Sequence, residues 1–384
     1  MNICLLTSTF LPMIGGRELV VHNLATALSI IGHNVVVVTP YRTGRKVTQE
    51  HNYSIVHFGF RGSARLKLNL PLAVSALART TRRFTIDVIN VHYVYIPGSW
   101  AFYFTRIFRK MPIIGTPHGD DIQSLPDLQY GVRLNPELDR IVRRNVRSFT
   151  CVTAISNSIR KEIRRIIGND RNIWDVPNGV WVSKFQKKVD KVEIRKKYGI
   201  PLNSTAVISV GRNHPNKGFQ FGLDAIAKLA NTGIKVSYVL VGRDTYPLVE
   251  RARNLGISDL LVAPGELSPE EVSNLFHVSD IYVSTSFIES FGLATLEAMS
   301  SGLPCVVTNV RGNRDLVSPE YGALVESGNA QQLADSIKYL VDNPSVRKHM
   351  GIRARSEAGK YDWTKIAEFY VKIYSEAIRN IRNT

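Results

Sequence analysis

Glu289 and Glu297 stand eight positions apart, with Ser290, Phe291, Gly292 and Leu293 following the first of them. One carboxylate precedes a glycine turn and the other lies inside the helix that follows, a spacing that suits a ligand rich in hydroxyls. Glu289, in the loop, can accept hydrogen bonds from a sugar, and Glu297 can accept a bidentate pair from a ribose. The N–H groups of Phe291, Gly292 and Leu293 open the helix, where a phosphate can be held. Gly292 lets the backbone approach that ligand closely. The elements that must position these groups are legible around them. Residues 280–284 form an apolar strand leading in, Ser301, Gly302, Leu303 and Pro304 stop the helix, and residues 305–308 begin the next strand. Two glutamates at this spacing in an arbitrary chain are more often a solvated helix face, but here strand, turn and stop agree.

A second group of charges follows the apolar residues 206–210, where Gly211 and Arg212 precede Lys217 and Gly218. Cleavage of a sugar–nucleotide bond leaves a diphosphate whose charge grows in the transition state, and an Arg and a Lys aimed there stabilise it without a metal. Alone, the two cations would read equally well as a surface loop. His118 follows the short run 112–115, which places it at a strand end, although a lone histidine is more often structural. Asp121 is explained equally well as a helix N-cap. Asp120 and Asp121 are adjacent, so they do not form a D-x-D metal site. Gly15 and Gly16 make a tight turn between the first strand and first helix, which suits a phosphate or an acceptor but is not the dinucleotide fingerprint. Asn178 and Gly179 are a turn signal, and Glu266 follows a strand and precedes a helix capped near Ser268.

Taken together these motifs resemble the retaining GT-B glycosyltransferases of family GT4. Glu289, Phe291, Gly292 and Glu297 match that family's E-x-F-G-(x)4-E, and the likeness runs over nearly the whole chain. It implies that Glu289 contacts the donor sugar, Glu297 the ribose, and Arg212 with Lys217 the diphosphate. It also places His118 and Asp121 in an H-G-x-D motif near the reaction centre, and Gly15 and Gly16 in an N-terminal G-G-x-E loop. Asn178 falls in a P-N-G-V motif on the acceptor side, and the segment around Glu266 lies beside the nucleobase. No metal or other cofactor is implied. One departure stands out. After Thr308 the family usually has a Gly-Gly-x-x-Glu loop, whereas this chain has Arg311 for a glycine and Asp315 for the glutamate, putting extra cations near the expected donor pocket.

With 384 residues, two domains are the natural expectation. The 44% hydrophobic and 21% charged fractions are ordinary for a globular protein. The start lacks a basic n-region and a long apolar run, so no signal peptide is expected, and no stretch is long and apolar enough for a membrane span. Cys4, Cys151 and Cys305 are isolated and read as buried residues in a reducing cytoplasm. The net charge of +17 is unevenly placed, with 23 Lys and Arg against 11 Asp and Glu in residues 1–180. A basic first half suits an anionic membrane or an acidic acceptor, or simply solubility. No nucleic-acid motif appears, and the cations are not interleaved with stacking aromatics, so nucleic acid is not an expected partner. Residues 61–83 alternate Arg61, Arg65, Lys67, Arg79, Arg82 and Arg83 with leucines. They read either as a helix on a membrane surface or as a core helix with a basic outer face.

Strand and helix patterns alternate throughout, which implies parallel sheets covered on both faces. Strand-like runs at 3–8, 34–39, 53–57, 86–91, 112–115, 150–154 and 172–176 form a first series. Those at 206–210, 236–241, 260–262, 280–284 and 305–308 form a second. The lysine-rich residues 180–197 read as a linker. The expected architecture is α/β, with two doubly wound, Rossmann-like domains facing a cleft. An acceptor domain spans 1–181 and a donor domain 182–363. A last helix, about 364–384, crosses back onto the first domain by analogy with the family, its apolar face including Trp363, Ile366, Phe369, Tyr370, Ile373 and Tyr374. The expected activity is sugar transfer from a UDP- or GDP-sugar to a lipid-linked or saccharide acceptor, with retention, in the cytoplasm or on the inner membrane face, with domain closure excluding water. An epimerase or phosphorylase on the same scaffold, and a non-catalytic subunit, stay open.

Overall fold

The computed structural model describes residues 1–13, 15–40, 51–59, 66–108 and 110–382. The chain divides into two compact units, one of Met1–Gly179 with Trp363–Thr384 and the other of Val180–Asp362. In the first unit the order is β1 (Asn2–Thr7), α1 (Gly16–Ile30), β2 (Asn34–Pro40), β3 (Ser54–Phe58), α2 (Leu66–Arg83), β4 (Val88–His92), α3 (Ile96–Ile107), β5 (Ile113–Thr116), α4 (Pro136–Ser148), β6 (Cys151–Ala154), α5 (Asn157–Ile167) and β7 (Ile173–Asp175). The sheet order is β3-β2-β1-β4-β5-β6-β7, and every pairing is parallel. Parallel strands are buried on both faces, which is why Val35, Val36, Val37 and Val38 run without a polar break. The order reverses between β1 and β4, and ligand sites of open α/β sheets form at the carboxyl ends of strands at such a switch.

The second unit contains α6 (Lys191–Tyr198), β8 (Thr205–Val210), α7 (Phe219–Asn231), β9 (Val236–Val241), α8 (Tyr246–Asn254), β10 (Leu261–Gly265), α9 (Pro269–Val278), β11 (Ile281–Ser284), α10 (Leu293–Ser300), β12 (Cys305–Thr308), α11 (Arg311–Leu316), β13 (Gly322–Val325), α12 (Ala330–Asp342) and α13 (Pro344–Ala358). Its parallel sheet runs β10-β9-β8-β11-β12-β13 and switches between β8 and β11. Leu223, Ile226, Tyr238, Leu240, Val283 and Val306 anchor one core between the sheet and its helices. Helix α14 (Trp363–Arg382) returns to the first unit and packs on α1.

Three sequence expectations change. The supposed linker 180–197 is built into the second unit. It holds a 3-10 turn at Val182–Phe185 and then α6, whose Arg195 is buried. Lysines on the outer side of this short helix hid that arginine's inward face. Phe369 is 48% exposed, so it leaves the apolar face of α14 that Trp363, Ile366, Tyr370, Ile373 and Tyr374 bury. The segment after Thr308 is a helix, α11, where a loop was expected. Of the basic stretch 61–83, Arg61 and Arg65 lie outside the described residues. From Leu66 onward it is α2, with Leu77 fully buried and Arg79, Arg82 and Arg83 outward, the core-helix alternative. Among the described residues no helix is long and apolar enough to cross a membrane.

Candidate functional site

In the second unit the charged groups gather at the switch between β8 and β11. Gly211 continues β8 by donating its N–H to the Val241 carbonyl, and Arg212 follows, exposed and with no charged partner among the described residues. A 3-10 turn at Pro215–Lys217 then points Lys217 back toward β11. Gly218 closes that turn with φ +60°, and a Cβ there would collide with the Thr285 carbonyl, so glycine is required twice over. The loop after β11 is tied to this turn. Thr285 Oγ1 donates to the Lys217 carbonyl at 2.8 Å, and Phe287 N donates to the Asn216 carbonyl at 2.8 Å. The result is an ion pair: Lys217 Nζ donates to Glu289 Oε2 at 2.7 Å, with Ser286 Oγ at 3.3 Å from the same oxygen.

Sequence reasoning assigned Lys217 and Glu289 to different parts of a ligand; the fold brings them into contact. Gly292, with φ +98°, is the N-cap of α10, and the amides of Phe291, Gly292 and Leu293 stand at its amino end. Phe291 is buried and packs edge-on to Tyr361. Helix α11 supports the Glu289 loop from beneath. Gly312 N donates to the Glu289 carbonyl at 2.9 Å, and a Cβ on residue 312 would lie 2.6 Å from that oxygen. Buried Asn313 donates to the Thr308 carbonyl and to Ser284 Oγ. Of the two extra cations, Arg314 is engaged with Asn309, and Arg311 is exposed at the start of α11. Glu266 lies past the end of β10, paired with Arg243 at 3.2 Å, and β9 separates that strand from β8 and its loop.

Glu297 is the fifth residue of α10 and is half-buried. Burial pushes its carboxyl up to about 7, against the opposing pull of the nearby Lys184 ammonium. A carboxyl whose folded-state pKa exceeds its unfolded value holds its proton longer in the native state, so the native state loses stability as pH rises from about 4.5 to about 7. The loss attributable to this group is at most about 3 kcal/mol. Glu297→Gln is therefore expected to flatten that slope and to be more stable than wild type at pH 8, with no gain at pH 4. Urea unfolding at the two pH values checks it; equal differences at both would mean that Glu297 is not desolvated.

In the first unit the groups gather at the β1–β4 switch. Gly15 is the N-cap of α1, and Glu18 folds back over it, leaving no room for a Cβ on Gly15. Buried Glu18 accepts from Thr9 Oγ1 and from Arg17 Nη2, and Gly16 is exposed beside them. The Arg17 guanidinium lies 4.4 Å from the centroid of the Tyr93 ring. Tyr93 has φ +80°, a conformation rare for an aromatic residue, and its hydroxyl donates to Asp120 at 3.1 Å. His92, at the end of β4, places Nδ1 3.1 Å from His118 Nε2. Burial drives the His92 pKa down to about 3, with Arg17 adding to the effect. His118 is also held well below its usual range by burial, then by His92 and Arg17. Both rings are neutral at pH 7, so His118 meets a ligand as a hydrogen-bonding group without a charge.

Asp121 is not an N-cap; α4 is capped by Asn135. The fully buried Asp121 carboxylate accepts from the N–H groups of Val94, His118 and Gly119 at 2.7, 2.9 and 3.0 Å, which shapes the loop carrying His118. Burial, then the adjacent Asp120 carboxylate, pushes its pKa upward. Asn178 is buried at the end of this unit, and a Cβ on the neighbouring Gly179 would lie 2.6 Å from the Trp363 ring. Sequence reasoning missed His92, Arg17, Tyr93, Gly312 and Asn313. A histidine at the carboxyl end of an apolar run and a glycine–asparagine pair after a strand were the available signals. Among the described residues no cluster of His, Cys, Asp or Glu could hold a metal ion.

Comparison with known proteins identifies the family. A family model described as Glycosyltransferase Family 4 matches residues 14–184, and one described as Glycosyl transferases group 1 matches residues 190–357. The chain is 27% identical to N-acetyl-alpha-D-glucosaminyl L-malate synthase of Bacillus anthracis, over 98% of this chain and 97% of that one. It is 23% identical to alpha-monoglucosyldiacylglycerol synthase of Streptococcus pneumoniae, over 97% of this chain and 86% of that one. Among solved structures it superimposes on sucrose-phosphate synthase of Thermosynechococcus elongatus with a TM-score of 0.84 and 20% identity, covering 99% and 100% of the two chains. The Anabaena protein HepE, in complex with UDP, gives a TM-score of 0.80 and 19% identity, covering 98% and 100%. With two doubly wound sheets, charged residues gathered at each switch point and family models matching most of its length, the chain belongs to the family 4 glycosyltransferases, of GT-B fold.

Proposed function

We propose that the enzyme moves a sugar from a UDP- or GDP-sugar to a lipid-linked or saccharide acceptor, with retention at the anomeric carbon and without a metal. The observation that carries this reading is the Lys217–Glu289 pair at the amino end of α10, beside the exposed Arg212. A cation held against a carboxylate, next to a second cation with no charged partner among the described residues, is set for a ligand that is a diphosphate at one end and a polyol at the other. When the donor binds, Lys217 and Arg212 take the diphosphate, and Glu289 turns its freed lone pairs to the sugar hydroxyls. Charge developing on the leaving phosphate is then met by fixed cations and by the amides of Phe291, Gly292 and Leu293.

Glu297 accepts from the ribose hydroxyls in its ionised form. His118, neutral and held by His92 and Asp121, serves the reacting sugar or the acceptor by hydrogen bonding, with Gly15, Gly16 and Asn178 on the acceptor side. Attack proceeds on the face the leaving group vacates, assisted by the departing phosphate, because Glu289 is committed to the sugar hydroxyls and no other matched carboxylate offers a nucleophile. The relatives' own names support a sugar donor: one is a glucosaminyl malate synthase, one a monoglucosyldiacylglycerol synthase, and HepE was solved with UDP.

Thermal unfolding against UDP, GDP, ADP and CMP tests the reading. One nucleoside diphosphate, at about 100 times its dissociation constant, is expected to add about 2.7 kcal/mol of stability. Glu297→Ala is expected to abolish the gain. If no nucleotide stabilises the wild-type protein, the donor assignment fails.

A further inference from the structure

Away from both clusters, α3 and α4 of the first unit carry a face that is both basic and apolar. Arg140, Arg143, Arg144, Arg147 and Ser148 of α4 line a shallow groove of about 480 Å³. Arg144 reaches across to α3, donating to Tyr103 Oη at 3.3 Å and lying 4.3 Å from the centroid of the Phe102 ring. Arg106 of α3 lies 5.6 Å from the same ring, so the cations of the two helices share one surface through Phe102. Directly after Arg106 come Ile107 and Phe108, 64% and 57% exposed. The Phe108 ring stacks on Phe104 and still faces outward. Lys110 adds a further exposed cation. Asp139, an acidic residue of α4, is neutralised by Arg133 and Arg143 at 2.6 Å each.

We propose that this face seats the enzyme on an anionic lipid bilayer. The guanidinium groove takes lipid phosphates, and Ile107 with Phe108 enters the boundary between headgroups and acyl chains. Charge complementarity selects an anionic partner. The two adjoining apolar side chains select a bilayer over a soluble polyanion, because a hydrated polyanion gives them nothing to bury in. The inference rests on the lipid-linked branch of the acceptor reading, and it places the contact on α3 and α4, not on α2, whose Leu77 is fully buried.

Sedimentation of the full-length protein with vesicles of phosphatidylcholine alone, or with about 40% phosphatidylglycerol, tests it. The wild type is expected to bind the anionic vesicles and to be released by salt. Arg106→Glu combined with Arg140→Glu, both exposed positions, is expected to lower the partition coefficient at least about 20-fold. Ile107→Ser with Phe108→Ser is expected to lower it about tenfold, while leaving binding to soluble polyphosphate unchanged. Thermal unfolding with UDP or GDP on each variant shows whether the fold and the donor response persist. A donor response that is absent from all of them, wild type included, counts against the donor assignment and not against the membrane face. Vesicle binding that ignores anionic lipid, or that survives the charge reversals, overturns the proposal. Charge reversals that weaken polyphosphate and vesicles alike, with the serine pair without effect on either, would make the face a polyanion site and overturn it too.

Discussion

Lys217→Ala is expected to lower kcat by about 100- to 1,000-fold with a smaller change in KM. Loss of one fixed donor from a preorganised site typically costs that much when the charge it meets grows only in the transition state. The pairing with Glu289 sharpens the expectation. In the free enzyme the 2.7 Å contact occupies both side chains, so removing either one leaves the other misplaced. Glu289→Ala alone is expected to be nearly as damaging, and the double variant little worse than either single one, since residues that act as a unit are strongly non-additive. Lys217→Arg restores the charge but not the compact geometry, and a partial recovery is expected. Steady-state rates for the four variants with the nucleotide-sugar identified by thermal unfolding decide the matter. Single effects that multiply in the double variant would show that the two side chains work independently.

The largest expected loss of stability is at a residue remote from the chemistry. Arg195 donates through Nε and Nη2 to the Val278 carbonyl at 3.0 and 2.8 Å. Through Nη1 it donates to the carbonyls of Pro201 and Ser204 at 3.0 and 2.9 Å, and through Nη2 to Asp280 Oδ2 at 2.7 Å. Its side chain is almost wholly buried. Arg195→Met keeps the aliphatic bulk but orphans those carbonyls and leaves Asp280 without its closest cation, so a loss of about 3–5 kcal/mol is expected. In a unit of this size that corresponds to a fall of roughly 10 °C in melting temperature. Calorimetry checks it, and a fall below about 3 °C would mean that water replaces the guanidinium at little cost.

That arginine also shows where reading the sequence runs out. The alternation of strands and helices was legible because buried parallel strands write themselves as continuous apolar runs, and residues 236–241 and 305–308 were located to the residue. The Glu289–Glu297 loop was legible because a strand, a glycine turn and a helix stop coincide there. Strand order was not, since nothing local tells β8 that β11, with two strands of the same sheet between them in the chain, will be its neighbour. The contact between Lys217 and Glu289 therefore could not be seen, although both residues were singled out. The same holds for His92 and His118, which meet only because β4 and β5 pair in register with His92 opposite Thr116. Helix α11 was missed because its six residues carry only one apolar side chain, Leu316, and strand β13 because four residues are too short a run to stand out.

The return of α14 to the first unit bears on the order in which the protein is made. Trp363, Tyr370 and Tyr374 are buried in that unit, and the Asn90 amide donates to Tyr374 Oη at 2.6 Å. The seven strands of the first sheet leave the ribosome before the second unit does, yet the aromatic face that completes their packing follows only after all of Val180–Asp362. At about 5–20 residues per second, roughly ten seconds or more pass between the two. During that interval the first-made unit waits incomplete, with Asn90 and its apolar neighbours uncovered, while the second unit, contiguous in the chain, can finish folding ahead of it.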